Sequence, residues 1–298
     1  MNILIIGGHG FLGLQLLNDL QDSLPSANIY ICSSRREVAD DKVLFVDYDS
    51  AESVAALFSH TSPDYIFHLA SSCVRDSTDS SLRRGRLRDD NILRALSELT
   101  FFSRLIFVGS MAVFSMSDKQ IKPMRWSPKS NYGLEKMYMI NKLLDFSADS
   151  NNVSCKVVYP SSIYGKGQDG KMFLPQLLEN IKKNTLMVAF GGNKKRDFIH
   201  VRDVSRALVQ LVLGYDDVPR QHIFLHSFDL YKISEIANFV CGIRRLDPKD
   251  VIVFQDSRED LEQDIMDFQV VDEKYCSRNE LGTKISILDG LQEIFGEN

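Results

Sequence analysis

The stretch that decides the fold is MNILIIGGHGFLGLQLL, residues 1–17. An apolar run of strand character passes into three glycines spaced G-x-x-G-x-x-G, and an amphipathic helical pattern follows. Glycine is required where a strand turns sharply into a helix, where backbone approaches a pyrophosphate, and where the helix packs tightly on the strand. The N–H groups at the helix start then face the phosphates. We expect a dinucleotide site here, rather than a tight turn without a ligand, with contacts from Gly7, Gly10, Phe11, Leu12 and Gly13.

The first half of the chain alternates short apolar runs with helical patterns. The apolar runs are Asn2–Ile6, Asn28–Cys32, Val43–Val46, Tyr65–Leu69, Arg104–Val108 and Ser154–Tyr159. Helical spacing of apolar residues covers Gly10–Leu20, Ser53–Phe58, Asp89–Leu99 and Tyr132–Ser147. Strands that are apolar throughout are typical of a parallel sheet covered by helices on both faces. The pattern predicts an α/β fold with a Rossmann-type doubly wound parallel sheet.

The regular alternation ends after Tyr159, where glycines, prolines and charged residues cluster. We place the change of domain near Ser161, with a nucleotide-binding domain over residues 1–160 and a smaller α/β substrate-binding domain over 161–298. A helical pattern over Val201–Leu213 is expected to return to the first domain, so that residues 197–215 fold back onto it.

Composition narrows the class of protein. The chain has 298 residues, of which 44% are hydrophobic and 25% charged, as in ordinary globular proteins. A net charge of −5 argues against nucleic acid or an anionic membrane as the main partner. Five cysteines are scattered without a CxxC pair or a zinc-ligand spacing, so we expect reduced thiols and no metal site. The N-terminus has no leader-like segment, and we expect a cytoplasmic protein.

The choice of cofactor is expected at the end of the second strand, where an acidic residue normally accepts hydrogen bonds from the adenosine ribose of NAD. This strand is followed by Ser33, Ser34, Arg35 and Arg36. The arginines could bind a 2′-phosphate through charge-assisted hydrogen bonds, which favours NADP over NAD. A solvated turn is the alternative. Further expected cofactor contacts lie at or after the ends of the third, fourth and sixth strands: Asp47, Tyr48, Leu69, Ala70, Ser71 and Tyr159.

Candidate catalytic residues are Tyr132 and Lys136, which are neighbours on one face of a predicted helix. A phenol is a poor base at neutral pH, but a nearby ammonium stabilises the phenolate and lowers its pKa. The pair could then move a proton at a carbinol or carbonyl oxygen, although a surface pair with this spacing is also common. Ser110 follows the fifth strand, at the end that faces the cofactor crevice, and could hold the same oxygen.

These residues carry a resemblance to the extended short-chain dehydrogenase/reductase family, which contains nucleotide-sugar epimerases, dehydratases and reductases. The matching segments are GGHGFLG at 7–13, DYIFHLAS at 64–71, IFVGSMAVF at 106–114, NYGLEK at 131–136, YPSSIYGKG at 159–167, RDFIHVRDVSRAL at 196–208 and LGTKISILDGLQEIF at 281–295. The resemblance implies catalytic roles for Ser110, Tyr132 and Lys136, and a nucleotide-diphosphate sugar as substrate. It implies substrate contacts from Cys73, Ser110, Ser162, Phe173 and Arg196, with Arg196 at the diphosphate.

Departures from the family pattern narrow the reaction. Dehydratases of the family carry an acidic pair after the catalytic Ser or Thr, whereas this chain has Met111 and Ala112, which cannot transfer a proton. The asparagine usual before the helix near residues 83–91 cannot be aligned here, so Asn91 is left out of the site. We expect NADPH-dependent reduction of a 4-keto-6-deoxyhexose. The alternatives are a C4-epimerase with retained NAD and an NADP-binding regulatory protein without turnover.

The resemblance also implies a homodimer, formed by the helix of Tyr132 and the helix before Ser110. Apolar residues on these helices that could form such an interface are Leu93, Leu96, Met137, Ile140 and Leu144. Packing on the sheet within one chain is the alternative. The nucleotide, the sugar and the stereochemistry of the product depend on loop shapes that residue spacing does not encode.

Overall fold

The structure is a computed structural model that describes residues 1–34, 43–69, 79–114, 126–128, 130–168, 172–227, 229–255 and 285–296. Its strands are β1 (Asn2–Ile6), β2 (Asn28–Ser33), β3 (Val43–Phe45), β4 (Tyr65–His68), β5 (Ser103–Val108), β6 (Val153–Pro160), β7 (Ser162–Tyr164), β8 (Met187–Phe190), β9 (Lys195–His200), β10 (His222–Leu225), β11 (Leu230–Lys232) and β12 (Ile252–Gln255). Its helices are α1 (Phe11–Ser23), α2 (Ala51–Thr61), α3 (Asp79–Ser97), α4 (Asn131–Asp149), α5 (Phe173–Lys183), α6 (Val201–Leu213), α7 (Ile233–Arg244), α8 (Pro248–Val251) and α9 (Ile287–Phe295). A 3₁₀ turn covers Met111–Val113.

The central sheet has seven strands in the order β10-β6-β5-β4-β1-β2-β3, and the pairings between them are parallel. Strand β1 shows why its residues are apolar throughout. Leu4 and Ile6 pack in the cluster beneath α2, α3 and α4, whereas Ile3 and Ile5 pack in the cluster beneath α1 and α6. Both faces of the strand are therefore buried. The predicted Rossmann-type doubly wound fold is confirmed.

Two elements from the second half of the chain complete this layer. Strand β10 pairs with β6 at the edge of the sheet, and α6 packs against α1. The remaining described elements surround a third hydrophobic cluster and carry two small sheets, β11-β9-β7 and β12-β8. Helix α9 is tied to the start of α6 because Arg202 pairs with Glu293 and the N–H of Ile285 donates to Asp203.

Helix α3 starts at Asp79, whereas the apolar spacing predicted a start at Asp89. The first part of this helix is rich in arginine and serine, so it has no apolar stripe to reveal it. Ion pairs hold it instead: Arg84 and Arg88 both bind the carboxylate of Asp49, with Nε to oxygen distances of 2.7 Å. Tertiary contacts therefore extend this helix beyond its sequence signal.

The residues proposed for a dimer interface pack against the core of their own chain. Leu96, Ile140 and Leu144 are buried in the cluster beneath α3 and α4, and Leu93 and Met137 pack against it. The expectation that these side chains are exposed is wrong for Leu96, Ile140 and Leu144, which help to cover the sheet, whereas Leu93 and Met137 are partly exposed. No helix in the described part of the chain has the length and apolar character needed to cross a membrane.

Candidate active site

The glycine turn lies at the point where the sheet order reverses, because β1 is flanked by β2 on one side and β4 on the other. Gly7 has a φ of 86°, which only glycine adopts readily. A Cβ at Gly13 would lie 2.5 Å from the backbone oxygen of Gly7, so α1 approaches the turn as closely as backbone allows. Gly10 is the N-cap and has no side chain to accept from the first N–H groups of α1. Those groups can serve an anion.

Phe11 and Leu12 form the first turn of α1 beside this site. The ring of Phe11 lies next to Gly165, where an added Cβ would stand 3.2 Å from the ring edge. Leu12 packs on the cluster beneath α1 and α6. Their side chains are thus used for packing, which leaves their backbone N–H groups for a ligand.

The second and third strands end on one side of the glycine turn. Ser33 is the last residue of β2 and is buried, Ser34 follows it and is exposed, and Arg35 falls outside the described residues. Asp47 follows β3 and is exposed; its Oδ1 accepts from the N–H of Asp49. The side chain of Tyr48 is buried in the core, so only its backbone is available to a cofactor.

Helix α3 anchors this loop after β3. The side chain of Asn91 donates to the backbone oxygen of Tyr48 at 2.9 Å, and Asp49 accepts from Arg84 and Arg88. Hydrogen bonds from the two arginines lower the pKa of Asp49 to about 2. Asn91, which the sequence pattern left outside the site, positions the loop that carries Asp47.

On the other side of the glycine turn, the fourth strand ends at His68 and Leu69 follows. The N–H of Leu69 donates to the backbone oxygen of Ile6, which brings this strand end directly beside the turn. Ala70, Ser71 and Cys73 lie outside the described residues. Leu69 is partly buried and packs on the cluster beneath α1 and α6.

The catalytic candidates meet at the end of β5. Ser110 follows this strand and caps the 3₁₀ turn, with its Oγ accepting from the N–H of Ala112 at 3.1 Å. Lys136 is buried, and its Nζ donates to the backbone oxygen of Val108, the last residue of β5, at 2.7 Å. Tyr132 is half-buried in the first turn of α4, one helical turn before Lys136. The three residues thus lie on adjoining turns at the carboxyl edge of the sheet.

Close packing holds the first turn of α4 against the turn after β5. The Oγ of Ser130 accepts from the N–H of Gly133 and starts the helix. A Cβ at Gly133 would overlap the backbone oxygen of Ala112, so only glycine allows this approach. Gly133 is not among the residues predicted from the sequence, because the contact joins two separate segments of the chain.

Residues of the proposed substrate site lie on the small sheet and its neighbours. Ser162 begins β7, and Arg196 lies on the adjacent parallel strand β9, where it pairs in register with Tyr231 of β11. Phe173 begins α5 and packs partly on the third cluster. Arg196 is half-buried.

A buried carboxylate next to Arg196 fixes this arrangement. Asp197 is fully buried and accepts from the Oγ of Ser161 at 2.8 Å and from the N–H of Ser227 at 3.0 Å. These bonds join the ends of β6 and β10 to β9. Asp197 therefore links the central sheet to the small sheet, a role that the sequence analysis missed.

Tyr159 lies at the carboxyl end of β6. Its side chain is fully buried, its hydroxyl bonds to Nδ1 of His222 at 2.9 Å, and its ring stacks on Phe224 at 4.9 Å. As for Tyr48, only its backbone is therefore available to a cofactor. Met111 and Ala112, which stand where dehydratases carry acidic residues, are both buried.

The chain resembles known proteins over most of its length. The model of the NAD dependent epimerase/dehydratase family matches residues 3–225. A GDP-6-deoxy-D-talose 4-dehydrogenase from Aggregatibacter actinomycetemcomitans is 24% identical over 255 residues, covering 82% of this chain and 80% of that protein. A UDP-glucose 4-epimerase from Lactobacillus helveticus is 23% identical over 280 residues, covering 82% of each chain.

Solved structures share the fold. The crystal structure of a UDP-glucose 4-epimerase with UDP-glucose from Thermotoga maritima superposes with a TM-score of 0.81 at 19% identity, covering 99% of this chain and 97% of that chain. This likeness confirms the fold, and the family match confirms the resemblance drawn from the sequence motifs. The chain belongs to the NAD dependent epimerase/dehydratase family.

Proposed function

We propose that this chain is an NAD(P)-dependent oxidoreductase of a nucleotide-activated sugar, and that it reduces a 4-keto-6-deoxyhexose with NADPH. The observation that carries the proposal is the position of Lys136. Its ammonium is anchored at the end of β5, with Tyr132 one helical turn before it and Ser110 on the adjoining turn. A Ser-Tyr-Lys set of this kind can transfer a proton to or from the oxygen that is bonded to the carbon gaining or losing the hydride.

The described residues fit a dinucleotide across the carboxyl edge of the sheet. The open N-terminus of α1 would hold the pyrophosphate, since its N-cap is glycine. Ser33, Ser34 and Asp47 would face the adenosine half, on the side of β2 and β3. Leu69, Tyr132 and Lys136 would face the nicotinamide half, on the side of β4 and β5. NADPH, when bound, supplies the hydride.

Each catalytic side chain then has one task. Tyr132 donates its hydroxyl proton to the carbonyl oxygen of the sugar as the carbon is reduced. Lys136 stabilises the phenolate that remains, because a neighbouring ammonium favours the charged form of a phenol. Ser110 donates a hydrogen bond to the same oxygen and orients it. Ser162, Phe173 and Arg196 would hold the nucleotide sugar, with Arg196 at its diphosphate.

Two observations favour reduction over dehydration. Met111 and Ala112 are buried apolar residues, so the positions after Ser110 offer no acid or base. The Aggregatibacter relative is named a 4-dehydrogenase of GDP-6-deoxy-D-talose. The reverse of a 4-dehydrogenation is the reduction of a 4-keto sugar, which is the reaction proposed here.

The second candidate is C4 epimerisation of a nucleotide sugar with retained NAD. It is favoured by the Lactobacillus relative and the Thermotoga structure, which are both named UDP-glucose 4-epimerases. The same three catalytic residues could serve it, because epimerisation also needs hydride transfer with proton transfer at the sugar oxygen. The two reactions differ in whether the cofactor is consumed.

One experiment separates the candidates. One portion of the purified protein is denatured, and the ligands it releases are identified by mass spectrometry. A second, native portion is mixed with NADPH and a 4-keto-6-deoxy nucleotide sugar, and NADPH absorbance is followed. A reductase consumes NADPH in proportion to the substrate added. Retained NAD together with a UDP-hexose, and interconversion of C4 epimers without net NADPH loss, would favour the epimerase instead.

A homodimer remains part of the proposal, on different residues from those first considered. Leu87 on α3 and Leu134 on α4 are 48% and 40% exposed. Light scattering at micromolar concentration tests the dimer, and a monomeric mass would remove it.

A further inference from the structure

Ionisable side chains cluster behind Lys136, where β4 ends and α3 packs on α4. His68 is the last residue of β4. Helix α3 contributes Arg86, Asp89 and Asp90, and α4 contributes Glu135, Lys136 and Tyr138. Of these residues only Lys136 has a role in the proposed site; the others belong neither to the glycine turn nor to the proposed substrate contacts.

Lys136 lies in an interior that offers its charge little solvent. The residue is 4% exposed, and its Nζ stands 4.8 Å above the centre of the Phe107 ring. The same ring also contacts His68, whose imidazole meets it edge-on with ring centres 5.1 Å apart. The Phe107 ring thus contacts both the ammonium and the imidazole.

His68 also lies close to a carboxyl group. The residue is 1% exposed, and its Nε2 lies 3.8 Å from Oδ1 of Asp89. Among the residues that the structure describes, neither ring nitrogen of His68 has a hydrogen-bond partner. Burial, followed by the nearby charge of Lys136, lowers the pKa of His68 to about 3, so the imidazole is neutral.

Asp89 is an acidic group whose pKa depends on the charge of Lys136. Burial raises the pKa of Asp89 to about 7, the charge of Lys136 lowers it, and the charges of Glu135 and Asp90 raise it. Glu135 and Asp90 already have partners on the solvent side. Glu135 binds Nε of Arg86 at 3.1 Å, and Asp90 accepts from the hydroxyl of Tyr138 at 2.8 Å.

We propose that Asp89 is a positioning residue for Lys136: the Asp89 carboxylate, which lies beside His68, balances the buried ammonium that shares the Phe107 ring with that histidine. The balance keeps the ammonium charged at its hydrogen bond to Val108, where it can serve Tyr132. This inference rests on the proposed function for its catalytic consequence. The coupling between the two charges does not depend on any substrate.

The proposal predicts that ionisation of Asp89 is visible in catalysis. As pH rises through the neutral range, Asp89 loses its proton. In the folded protein the resulting carboxylate then stabilises the ammonium of Lys136. Turnover of the wild-type protein should therefore rise through a midpoint near the Asp89 pKa of about 7. A residue with a purely structural role would not shape the pH profile.

The first test uses the ligand-free protein. Carboxyl carbons of aspartate are followed by NMR as a function of pH in the wild type, Lys136→Met and Asp90→Asn. Asp89 should titrate near neutrality in the wild type, and Lys136→Met should raise its midpoint by roughly one unit. Asp90→Asn should lower it slightly. A midpoint near that of a free carboxyl, or one that Lys136→Met leaves unmoved, would overturn the proposal.

The second test is kinetic and compares Asp89→Asn with its neighbour Asp90→Asn. Asp89→Asn should lower turnover roughly tenfold, as expected for one pKa unit of lost charge interaction, and should remove the neutral step from the pH profile. Asp90→Asn should keep that step. A profile unchanged in Asp89→Asn would refute the positioning role. If no nucleotide sugar is turned over by the wild type, the proposed function fails, while the carboxyl titration still decides the coupling.

Discussion

Nζ of Lys136 donates a hydrogen bond of 2.7 Å to the backbone oxygen of Val108, two residues before Ser110. This bond ties α4 to the end of β5. The ammonium therefore has a role in the fold besides its proposed role at Tyr132 and the cofactor.

Lys136→Ala should damage both cofactor binding and turnover, because the same ammonium supports Tyr132 and faces the nicotinamide half of the site. Ser110→Ala should lower turnover with a milder effect on cofactor affinity, because the serine is proposed to hold only the substrate oxygen. Cofactor affinity by fluorescence titration and turnover at saturating cofactor are measured for both variants. Equal losses of cofactor affinity in the two variants would contradict this division of roles.

Gly133→Ala should push α4 away from the turn that carries Ser110. An added Cβ would overlap the backbone oxygen of Ala112, and the side chain of Pro128 lies 2.9 Å from the same position. Such overpacking costs about 1–3 kcal/mol of unfolding free energy, and turnover should fall because Ser110 and Tyr132 separate. Urea unfolding and turnover are measured together.

Gly242→Ala is the matched control for this substitution. Gly242 also lies inside a helix, and apart from the adjoining residues and backbone of that helix no heavy atom in the described part of the chain stands within 4 Å of an added Cβ. Alanine should stabilise the protein by roughly 0.5–1 kcal/mol there, because helical glycine is unfavourable. If the two variants behaved alike, the close approach at Gly133 would carry no weight.

Asp49 should stabilise the fold in a pH-dependent way. The arginines Arg84 and Arg88 lower its pKa to about 2 from an ordinary value of 3.8. The stabilisation is therefore fully present above about pH 4 and is lost as pH falls through 2. The difference in unfolding free energy between wild type and Asp49→Asn should shrink over that window.

The control for Asp49 is Glu98→Gln, which removes an exposed partner of Arg94, an arginine on the helix that carries Arg84 and Arg88. Exposed pairs of this kind contribute little, so this variant should unfold like the wild type. A gap for Asp49→Asn that stayed constant down to pH 2 would show that the arginine pairs do not set its ionisation.

Arg35 should make NADPH bind several-fold tighter than NADH. A good charge-assisted hydrogen bond is worth about 1.5–3 kcal/mol, which is roughly tenfold or more in affinity. Arg35→Ala should remove most of this preference, and Arg36→Ala should remove less. Equal affinities for the two cofactors in the wild type, or an unchanged preference in Arg35→Ala, would turn the choice towards NAD.

The part of the fold that sequence predicts well is the part whose signal is local. Strand Asn2–Ile6 and helix Val201–Leu213 have the predicted bounds, because contiguous apolar residues and a clear helical stripe identify them. The glycine turn and the end of β5 were also located in advance. Each of these features is encoded by a short, continuous segment of the chain.

The features that sequence reasoning missed depend on contacts between distant segments. Asp197 joins three strands through Ser161 and Ser227, and Gly133 meets Ala112 from another element. Leu96 and Ile140 have the spacing of an interface, but a pattern does not say whether the sheet or a second chain covers that face. Only the packed structure distinguishes these cases.

Tyr132→Phe tests the central claim most directly, because it removes the transferable proton and leaves the ring in place. Single-turnover hydride transfer is measured at saturating cofactor with a 4-keto-6-deoxy nucleotide sugar. Turnover should fall by the ~10²–10⁴ typical of general acid catalysis, with cofactor affinity nearly unchanged. Tyr138→Phe is the control, since that hydroxyl bonds to Asp90 away from the crevice. If Tyr132→Phe kept more than about a tenth of wild-type turnover while Tyr138→Phe did not, the catalytic assignment would be wrong.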